Sequence, residues 1–382
     1  MYDFDTVVDR RNTGSLKWDV AENELPMWVA DMDFKTAPQI IDAISERVSH
    51  GVFGYSIIPD EWNDAYISWW DRRHGLKIER DSLIFCTGVV PAISSTVRKL
   101  TTPGENVLIM TPVYNIFFNS IFNNGVNVQE SPLGYENGRY FVDYDRLEHD
   151  LSNPQTSLMI FCNPHNPCGF IWTKDELAKI GALCKKHNVT VISDEIHCDI
   201  TAPGKSYVPF AAASKDCADI SITCIAPTKC FNMAGLQTAA VMVPNKFLRH
   251  KVWRALNTDE VAEPNAFAIT AAVAAFTKGE PWLEELRKYL WENRKTVCSF
   301  MTENLPQIHV VDADATYLMW LDCSALTDDS VAFTQMIREK TGLYLSEGTE
   351  FGGNGRYFVR LNIACPGAVL MDGLQRLKRA LV

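Results

Sequence analysis

The chain has 382 residues, of which 47% are hydrophobic and 22% are charged. Such a length and composition indicate a globular enzyme, with two domains arranged around one cleft. The formal net charge of -11 argues against binding to nucleic acid or acidic membranes, because phosphate groups attract positively charged surfaces. No apolar stretch reaches membrane-spanning length and no secretory signal is visible, so we expect a soluble protein.

The cysteines point to the cellular compartment. There are 11 of them, an odd number, and most lie within apolar runs. Free thiols in apolar surroundings behave as small hydrophobic side chains, whereas disulfide frameworks occur mainly in secreted proteins. We therefore expect free cysteines and a cytoplasmic location.

The predicted elements begin with an extended arm to about residue 33, followed by helices over Pro38–His50 and Glu61–His74. Between residues 81 and 243, short apolar runs alternate with helical stretches. This alternation predicts an open α/β sheet whose strands are buried on both faces. The predicted strands are Leu83–Cys86, Asn106–Met110, Asn127–Ser131, Ser157–Phe161, Thr190–Ser193, Ile220–Cys224 and Thr238–Val243.

The last part of the chain predicts a smaller α+β domain. A long helix starts at Pro281, and strands over Thr316–Asp322 and Arg356–Ile363 flank a helix over Ser330–Thr341. A terminal helix is expected from Val369.

We accordingly assign residues 47–280 to a large domain. Residues 1–46 and 281–382 form the predicted small domain with its N-terminal arm.

Lys229 lies between two predicted strands, Ile220–Cys224 and Thr238–Val243. A lysine in such a loop is by default a solvated residue. In a doubly wound sheet, however, ligands bind beyond the carboxyl ends of the strands, where Lys229 should emerge. The pattern suits a lysine that holds the aldehyde of pyridoxal 5'-phosphate (PLP) as a Schiff base.

Asp194 follows the apolar strand Thr190–Ser193. A strand-end aspartate is usually a helix cap or a turn residue. A carboxylate at this edge can instead keep the pyridine nitrogen of PLP protonated, which makes the ring accept electrons. The combination of Asp194 with Lys229 favours the second interpretation.

The loop Asn163–Gly169 contains two Asn-Pro pairs, which favour a rigid turn. Asn166 is the predicted donor to the phenolate oxygen of PLP. Cys162, His165 and Cys168 resemble metal ligands, but the prolines stiffen the loop and no second ligand pair follows at zinc-finger spacing. We therefore expect no metal here.

Two further segments could hold the cofactor. The backbone amides of Gly88, Val89 and Val90 lie where a strand gives way to a helix, and such amides bind phosphate. An ordinary strand-to-helix turn is the alternative. Tyr114 follows the strand Asn106–Met110 and could stack on the pyridine ring, or be a core tyrosine.

Arg360 lies inside an apolar strand, where a charged residue is rarely left unpaired. A bidentate contact to the α-carboxylate of an amino acid would explain its position, and a structural ion pair is the alternative. The nearby glycine-rich segment Gly352–Gly355 precedes a strand, so it does not predict a dinucleotide loop.

Taken in order, these residues resemble the fold-type I PLP enzymes, the aspartate aminotransferase superfamily, over essentially the whole chain. The resemblance is strongest to the branch of cystathionine β-lyases and cysteine-S-conjugate β-lyases. It implies a large domain with a seven-stranded, mostly parallel sheet. The stretches that carry it are Met27–Phe34, Gly88–Pro91, Asp194–Asp199 and Ala226–Asn232.

The resemblance also implies roles for individual residues. Lys229 and Tyr114 would be catalytic, and Thr228 would bind the cofactor phosphate. Tyr55 would reach the phosphate of the neighbouring subunit, which implies a homodimer. The residues near the substrate carboxylate would be Val29 and Ala30.

Three positions depart from the general aminotransferase pattern. His197 stands where most aminotransferases have a tyrosine near the cofactor phenolate. Ala226 replaces a phosphate-binding serine, and Gln237 replaces a phosphate-binding arginine. These departures fit the lyase branch and place more weight on backbone amides.

The expected reaction is β-elimination from L-cystathionine or a related L-cysteine S-conjugate, giving a thiol, pyruvate and ammonia. An aminotransferase is the first alternative, because it shares the early steps. A PLP-bound regulatory protein is the second. Which thioether is preferred, and whether Tyr114 or Lys229 protonates the leaving sulfur, stay open at this stage.

Overall fold

The computed structural model describes residues 2–382. Within them lie 15 strands and 13 α-helices, numbered in chain order. The strands are β1 (Leu25–Pro26), β2 (Leu83–Cys86), β3 (Asn106–Ile109), β4 (Asn127–Glu130), β5 (Gly134–Glu136), β6 (Arg139–Phe141), β7 (Thr156–Cys162), β8 (Thr190–Asp194), β9 (Ser221–Ile225), β10 (Ala239–Met242), β11 (His309–Val310), β12 (Leu318–Asp322), β13 (Leu343–Tyr344), β14 (Ser346–Glu347) and β15 (Phe358–Asn362).

The five helices whose bounds or starts were predicted are all present, and three of them begin one or two residues earlier, at Asp60, Glu280 and Gly367. The described residues form 13 α-helices in all. They are α1 (Pro38–His50), α2 (Asp60–His74), α3 (Val89–Leu100), α4 (Ile116–Phe122), α5 (Tyr144–Leu151), α6 (Lys174–Lys186), α7 (Phe210–Ala213), α8 (Lys215–Ile220), α9 (Lys246–Thr258), α10 (Ala268–Lys278), α11 (Glu280–Asn304), α12 (Ser330–Thr341) and α13 (Gly367–Leu381).

A seven-stranded sheet carries the larger part of the chain, with strand order β2-β10-β9-β8-β7-β3-β4. All neighbours are parallel except β10, which runs antiparallel to both β2 and β9. The central strands are almost wholly buried, as expected for apolar runs with helices on both faces. The predicted α/β fold is confirmed.

Strand β4 is the exception to the prediction of seven buried strands. It lies at the end of the sheet beside β3, and its two terminal residues are exposed. Because an edge strand has a neighbour on one side only, its side chains are less covered than those of central strands. The prediction of full burial was wrong for this strand.

A second sheet of four antiparallel strands, β11-β12-β15-β14, is formed by the C-terminal part. The predicted strand, helix and strand around residues 316–363 are present as β12, α12 and β15. The domain limits at residues 47 and 281 stay predictions. The N-terminal arm reaches this part of the chain, because β1 pairs in parallel with β13.

Helix α10 was not predicted, because its alanine-rich sequence has no distinct polar face. Five of its 11 residues are alanines, and it packs against α1 and α2. Phe276 of α10 contacts the rings of Tyr66, Trp69 and Trp70 on α2. These aromatic contacts place α2 and α10 in one continuous core.

The structure also bears on two sequence-based expectations, one about membrane-spanning helices and one about the cysteines. No helix within residues 2–382 combines the length and the apolar composition that a membrane crossing needs. The cysteines of the chain are all free thiols, and all but Cys298 are buried.

The long helix α11 is tied to the C-terminal segment by one buried side chain. The Asn293 amide donates to the carbonyls of Ile363 and Cys365, both at 2.9 Å. Replacing Asn293 by alanine leaves two buried carbonyls unpaired, so we expect N293A to lose about 2–4 kcal/mol of unfolding free energy.

Urea denaturation tests this prediction. The matched control is N257A, because the Asn257 amide bonds the carbonyl of Trp253 on an exposed surface, where water can replace it. The control should change stability by less than about 0.5 kcal/mol. Equal losses in the two variants would contradict the assignment.

Candidate active site

A cavity of about 280 Å³ opens at the carboxyl ends of β7, β8 and β9. This is the edge at which ligands bind in open α/β sheets. The structure brings most of the predicted site residues together here. Those that line the cavity are Ala30, Gly88, Val89, Val90, Tyr114, Asn166, Asp194, His197, Thr228 and Lys229.

The amine of Lys229 is the functional centre of this cavity. It donates to the carbonyl of Ala30 at 2.5 Å, and Tyr317 donates to the same carbonyl at 2.9 Å. Burial lowers the pKa of Lys229 to about 8, aided by the charge of Arg360 and opposed by Asp31 and Asp194. An amine with this pKa is partly neutral near pH 7.5, as a nucleophile or general base must be.

Asp194 ends strand β8 and is buried. Burial raises the pKa of its carboxyl to about 6, while the backbone N–H of Ile196, at 3.1 Å, and the nearby Lys229 oppose the rise. Asp194 is therefore ionised at neutral pH. A buried anion on this wall would stabilise a cation that binds opposite it.

Arg360 is buried in β15. Its guanidinium donates to the Asn166 amide oxygen at 3.3 Å and to the carbonyl of Trp28 at 2.9 Å. It also packs over the ring of Phe351, 4.6 Å from the centroid. No ion pair joins it to a carboxylate within residues 2–382, so the structural ion pair considered above is not formed, and its charge can bind a ligand anion.

His197 faces the same cavity in a neutral form. Burial, together with the positive charges of Lys229 and Arg360, lowers its pKa to about 3. Its Nδ1 atom is buried without a hydrogen-bond partner in the described part of the chain. A buried, unpaired ring nitrogen costs free energy unless a ligand bonds it. The Nδ1 atom of His197 is therefore free to form a hydrogen bond with a polar group of a ligand in the cavity.

The end of the cavity next to the start of helix α3 can bind an anion. Helix α3 starts at Val89, and no side chain caps its first N–H groups. Thr228 and Gln237, which also line the cavity, have neutral side chains. A Cβ atom at Gly88 would lie only 3.1 Å from the Pro91 ring, so glycine keeps the helix start open. Free helix N–H groups bind phosphate well.

Three predicted residues lie outside the cavity lining, namely Tyr55, Val29 and Arg360, which contacts the lining residue Asn166. The Tyr55 side chain is fully exposed. Val29 turns its carbonyl towards Asn362, whose amide donates to Val29 at 2.6 Å and to Asp31 at 2.7 Å. Asn362 thus fixes the backbone on both sides of Ala30.

Sequence reasoning missed Asn362, since nothing in a sequence shows that strand β15 lies against the N-terminal arm. The only available signal was its position, two residues after Arg360 on the same face of a strand. Cys162 was weighed as a metal ligand rather than as part of the cavity wall, which it lines.

The segment around His165 has ordinary structural contacts. The Nε2 atom of His165 lies 2.7 Å from the carbonyl of Pro112, and burial lowers its pKa to about 4. The Cys162 thiol donates to the carbonyl of Pro164 at 3.3 Å. The three metal-type residues His74, Cys198 and Asp199 do converge elsewhere, but Arg73 already pairs with that aspartate at 3.1 Å.

Comparison with known proteins fits this site. Residues 22–377 match the family described as aminotransferase class I and II. The chain is 42% identical to cystathionine beta-lyase PatB of Bacillus subtilis, over 99% of both chains. It is 35% identical to protein MalY of Escherichia coli, over 100% of this chain and 99% of MalY.

Among solved structures, cystalysin from Treponema denticola, which contains a PLP cofactor, superposes with a TM-score of 0.97. It is 34% identical, and the alignment covers 100% of this chain and 99% of that one. The chain therefore belongs to the aminotransferase class I and II family. Its fold is that of the fold-type I enzymes.

Because its pKa is lowered, the Lys229 amine should titrate at a lower pH than an ordinary lysine amine. Reductive methylation of the cofactor-free protein with labelled formaldehyde gives NMR signals from the lysines and from the N-terminal amine, whose pKa also lies near 8. One signal should titrate near pH 8 and be absent from the K229R variant. A signal assigned to Lys229 that titrates above pH 10 would contradict the burial of its amine.

Proposed function

We propose that the protein is a PLP-dependent carbon-sulfur β-lyase that cleaves L-cystathionine or related L-cysteine S-conjugates to a thiol, pyruvate and ammonia. The observation that carries the proposal is that Lys229 and Asp194 line one cavity, while Arg360 bonds the cavity residue Asn166 and its charge reaches the Lys229 amine. The kinship with PatB, named as a cystathionine beta-lyase, selects the lyase reaction among those of the family.

The cavity offers a partner for each part of PLP. The helix N–H groups after Gly88 and the Thr228 hydroxyl suit the phosphate, and Asp194 suits the ring nitrogen. Asn166 and the unpaired nitrogen of His197 suit the phenolate oxygen. When bound, PLP supplies an electron sink for negative charge at the substrate Cα.

The chain's own residues supply binding and proton transfer. Arg360 holds the α-carboxylate of the substrate, which fixes the Cα–H bond relative to the cavity. Lys229, which has a pKa of about 8, takes the proton from Cα in its neutral form. Burial raises the pKa of Tyr114 to about 12, so this phenol keeps its proton at neutral pH. The ammonium form of Lys229, which has the lower pKa, is the stronger acid and can donate its proton to the leaving sulfur.

Product analysis tests the proposed reaction. Purified holoenzyme given L-cystathionine should release pyruvate and a free thiol in equal amounts without an added 2-oxo acid. K229A should lose at least about 1,000-fold in kcat, because it removes the general base. The control K205A changes an exposed lysine and should retain full activity. Strict dependence on a 2-oxo acid would instead establish the aminotransferase alternative.

We further propose that the protein acts as a homodimer in which Tyr55 enters the neighbouring subunit's site. The segment around Tyr55 supports this, because it exposes several apolar side chains of a kind that a partner surface usually covers. These exposed residues are Val52, Phe53, Tyr55, Ile57 and Ile58.

Subunit complementation tests this arrangement. Y55A and K229A should each be nearly inactive alone, but a mixed dimer restores one site that has both Lys229 and Tyr55. Random mixing should recover about one quarter of the wild-type activity, since half the dimers are mixed and each has one intact site. A mixture no more active than its parents would contradict a shared site.

The abundance of free, buried cysteines supports a reducing environment. We therefore propose a cytoplasmic location for this enzyme.

A further inference from the structure

A second cavity, of about 470 Å³, lies beside helix α9. It shares no lining residue with the active-site cavity, which has about 280 Å³. Its volume falls within the range of about 300–1,000 Å³ that is usual for small-molecule sites. We call this second cavity the α9 pocket.

One wall of the α9 pocket is a single face of helix α9. It is lined by Lys246, Arg249, His250 and Trp253, whose spacing along the helix places them on the same side. The indole of Trp253 is 46% exposed and stacks with the His250 ring at a centroid distance of 6.5 Å. This wall therefore combines positive charge with a flat aromatic surface.

Strand β2 and the start of helix α2 form other walls of the pocket. Three consecutive residues of β2, Leu83–Phe85, line it, although neighbouring side chains of a strand point to opposite faces. All three are reached together from the edge of the strand. Since β2 is an end strand of the seven-stranded sheet, its outer edge has backbone N–H and C=O groups without a strand partner. These groups can bond the polar atoms of a ligand ring.

The two permanent cations of the pocket keep their charge available. Among the residues that the structure describes, neither Lys246 nor Arg249 forms an ion pair with a carboxylate. The Arg249 guanidinium donates to the carbonyls of Val243 and Pro244, both at 3.1 Å. These contacts fix the position of the guanidinium without neutralising it.

The acidic groups around the pocket do not cancel this charge. Asp81 is the one carboxylate among the lining residues, and its side chain is exposed. Asp60 and Asp64, on either side of the lining residue Trp62, are both paired with Arg80. A positively charged pocket in a chain whose net charge is -11 is suited to a small anion.

We propose that the α9 pocket binds a small planar ring that carries a phosphate group, which is the chemistry of a nucleoside monophosphate. Lys246 and Arg249 bind the phosphate, because a doubly charged group uses both cations where a carboxylate needs one. The base stacks on Trp253 and lies against the open edge of β2. The site goes beyond the proposed lyase reaction and does not depend on it.

Calorimetric titration of the holoenzyme with AMP and with UMP tests the proposal. The tighter of the two nucleotides is then compared with its own nucleoside, which lacks the phosphate, and with ribose 5-phosphate, which lacks the base. We expect the nucleotide to bind at least about ten-fold more tightly than either part, because the charged and the aromatic contacts both contribute.

Four variants of helix α9 locate the site. K246Q and W253A should each weaken nucleotide binding at least about five-fold, since they remove a phosphate contact and the stacking surface. The matched controls are K251Q and F247A, which change an exposed cation and an exposed aromatic residue of α9 outside the pocket lining. They should alter the dissociation constant less than about two-fold.

Two results would overturn the proposal. The first is no detectable binding of either nucleotide at a concentration of about 1 mM. The second is equal weakening by K246Q and K251Q, which would indicate attraction to the overall charge of α9 rather than binding in the pocket. Because the titration requires no turnover, a failure of the lyase assignment leaves its result valid.

Discussion

Removing the amine of Lys229 from water is the constraint on which the rest of the site depends. A lysine with a neighbouring carboxylate at contact distance would stay fully charged and could serve neither as nucleophile nor as base. Here the closest polar contact is the neutral carbonyl of Ala30, and the charge of Arg360 acts against protonation. The carboxylates Asp31 and Asp194 only moderate this effect. The cavity thereby holds a reactive amine at neutral pH.

The Ala30 carbonyl can take this position only because the seven-stranded and the four-stranded sheets lie close together here. Its carbonyl lies on the N-terminal arm, Lys229 follows β9 in the large sheet, and Asn362 comes from β15 in the small one. Asn362 fixes the arm on either side of Ala30, and Arg360 of the same strand bonds the carbonyl of Trp28. The active site therefore depends on contacts that are more than 100 residues apart in sequence.

The sequence predicted the sheet and the cavity edge well, because the information is local. Apolar runs identify buried strands, and functional residues directly after them share one edge, as Asp194 and Lys229 do. Strand β4 was misjudged because its sequence does not show which strand lies at the edge. Helix α10 was missed because alanine gives no amphipathic pattern. The role of Asn362 depends on contacts between distant segments, which no local pattern contains.

Reduction of the holoenzyme with sodium borohydride, followed by peptide mapping, tests the central claim most directly. Borohydride converts the link between a lysine and the PLP aldehyde into a stable secondary amine. The account predicts one pyridoxyl group per chain, on the peptide that contains Lys229. A pyridoxyl group on another lysine, or none at all in a protein that binds PLP, would contradict it.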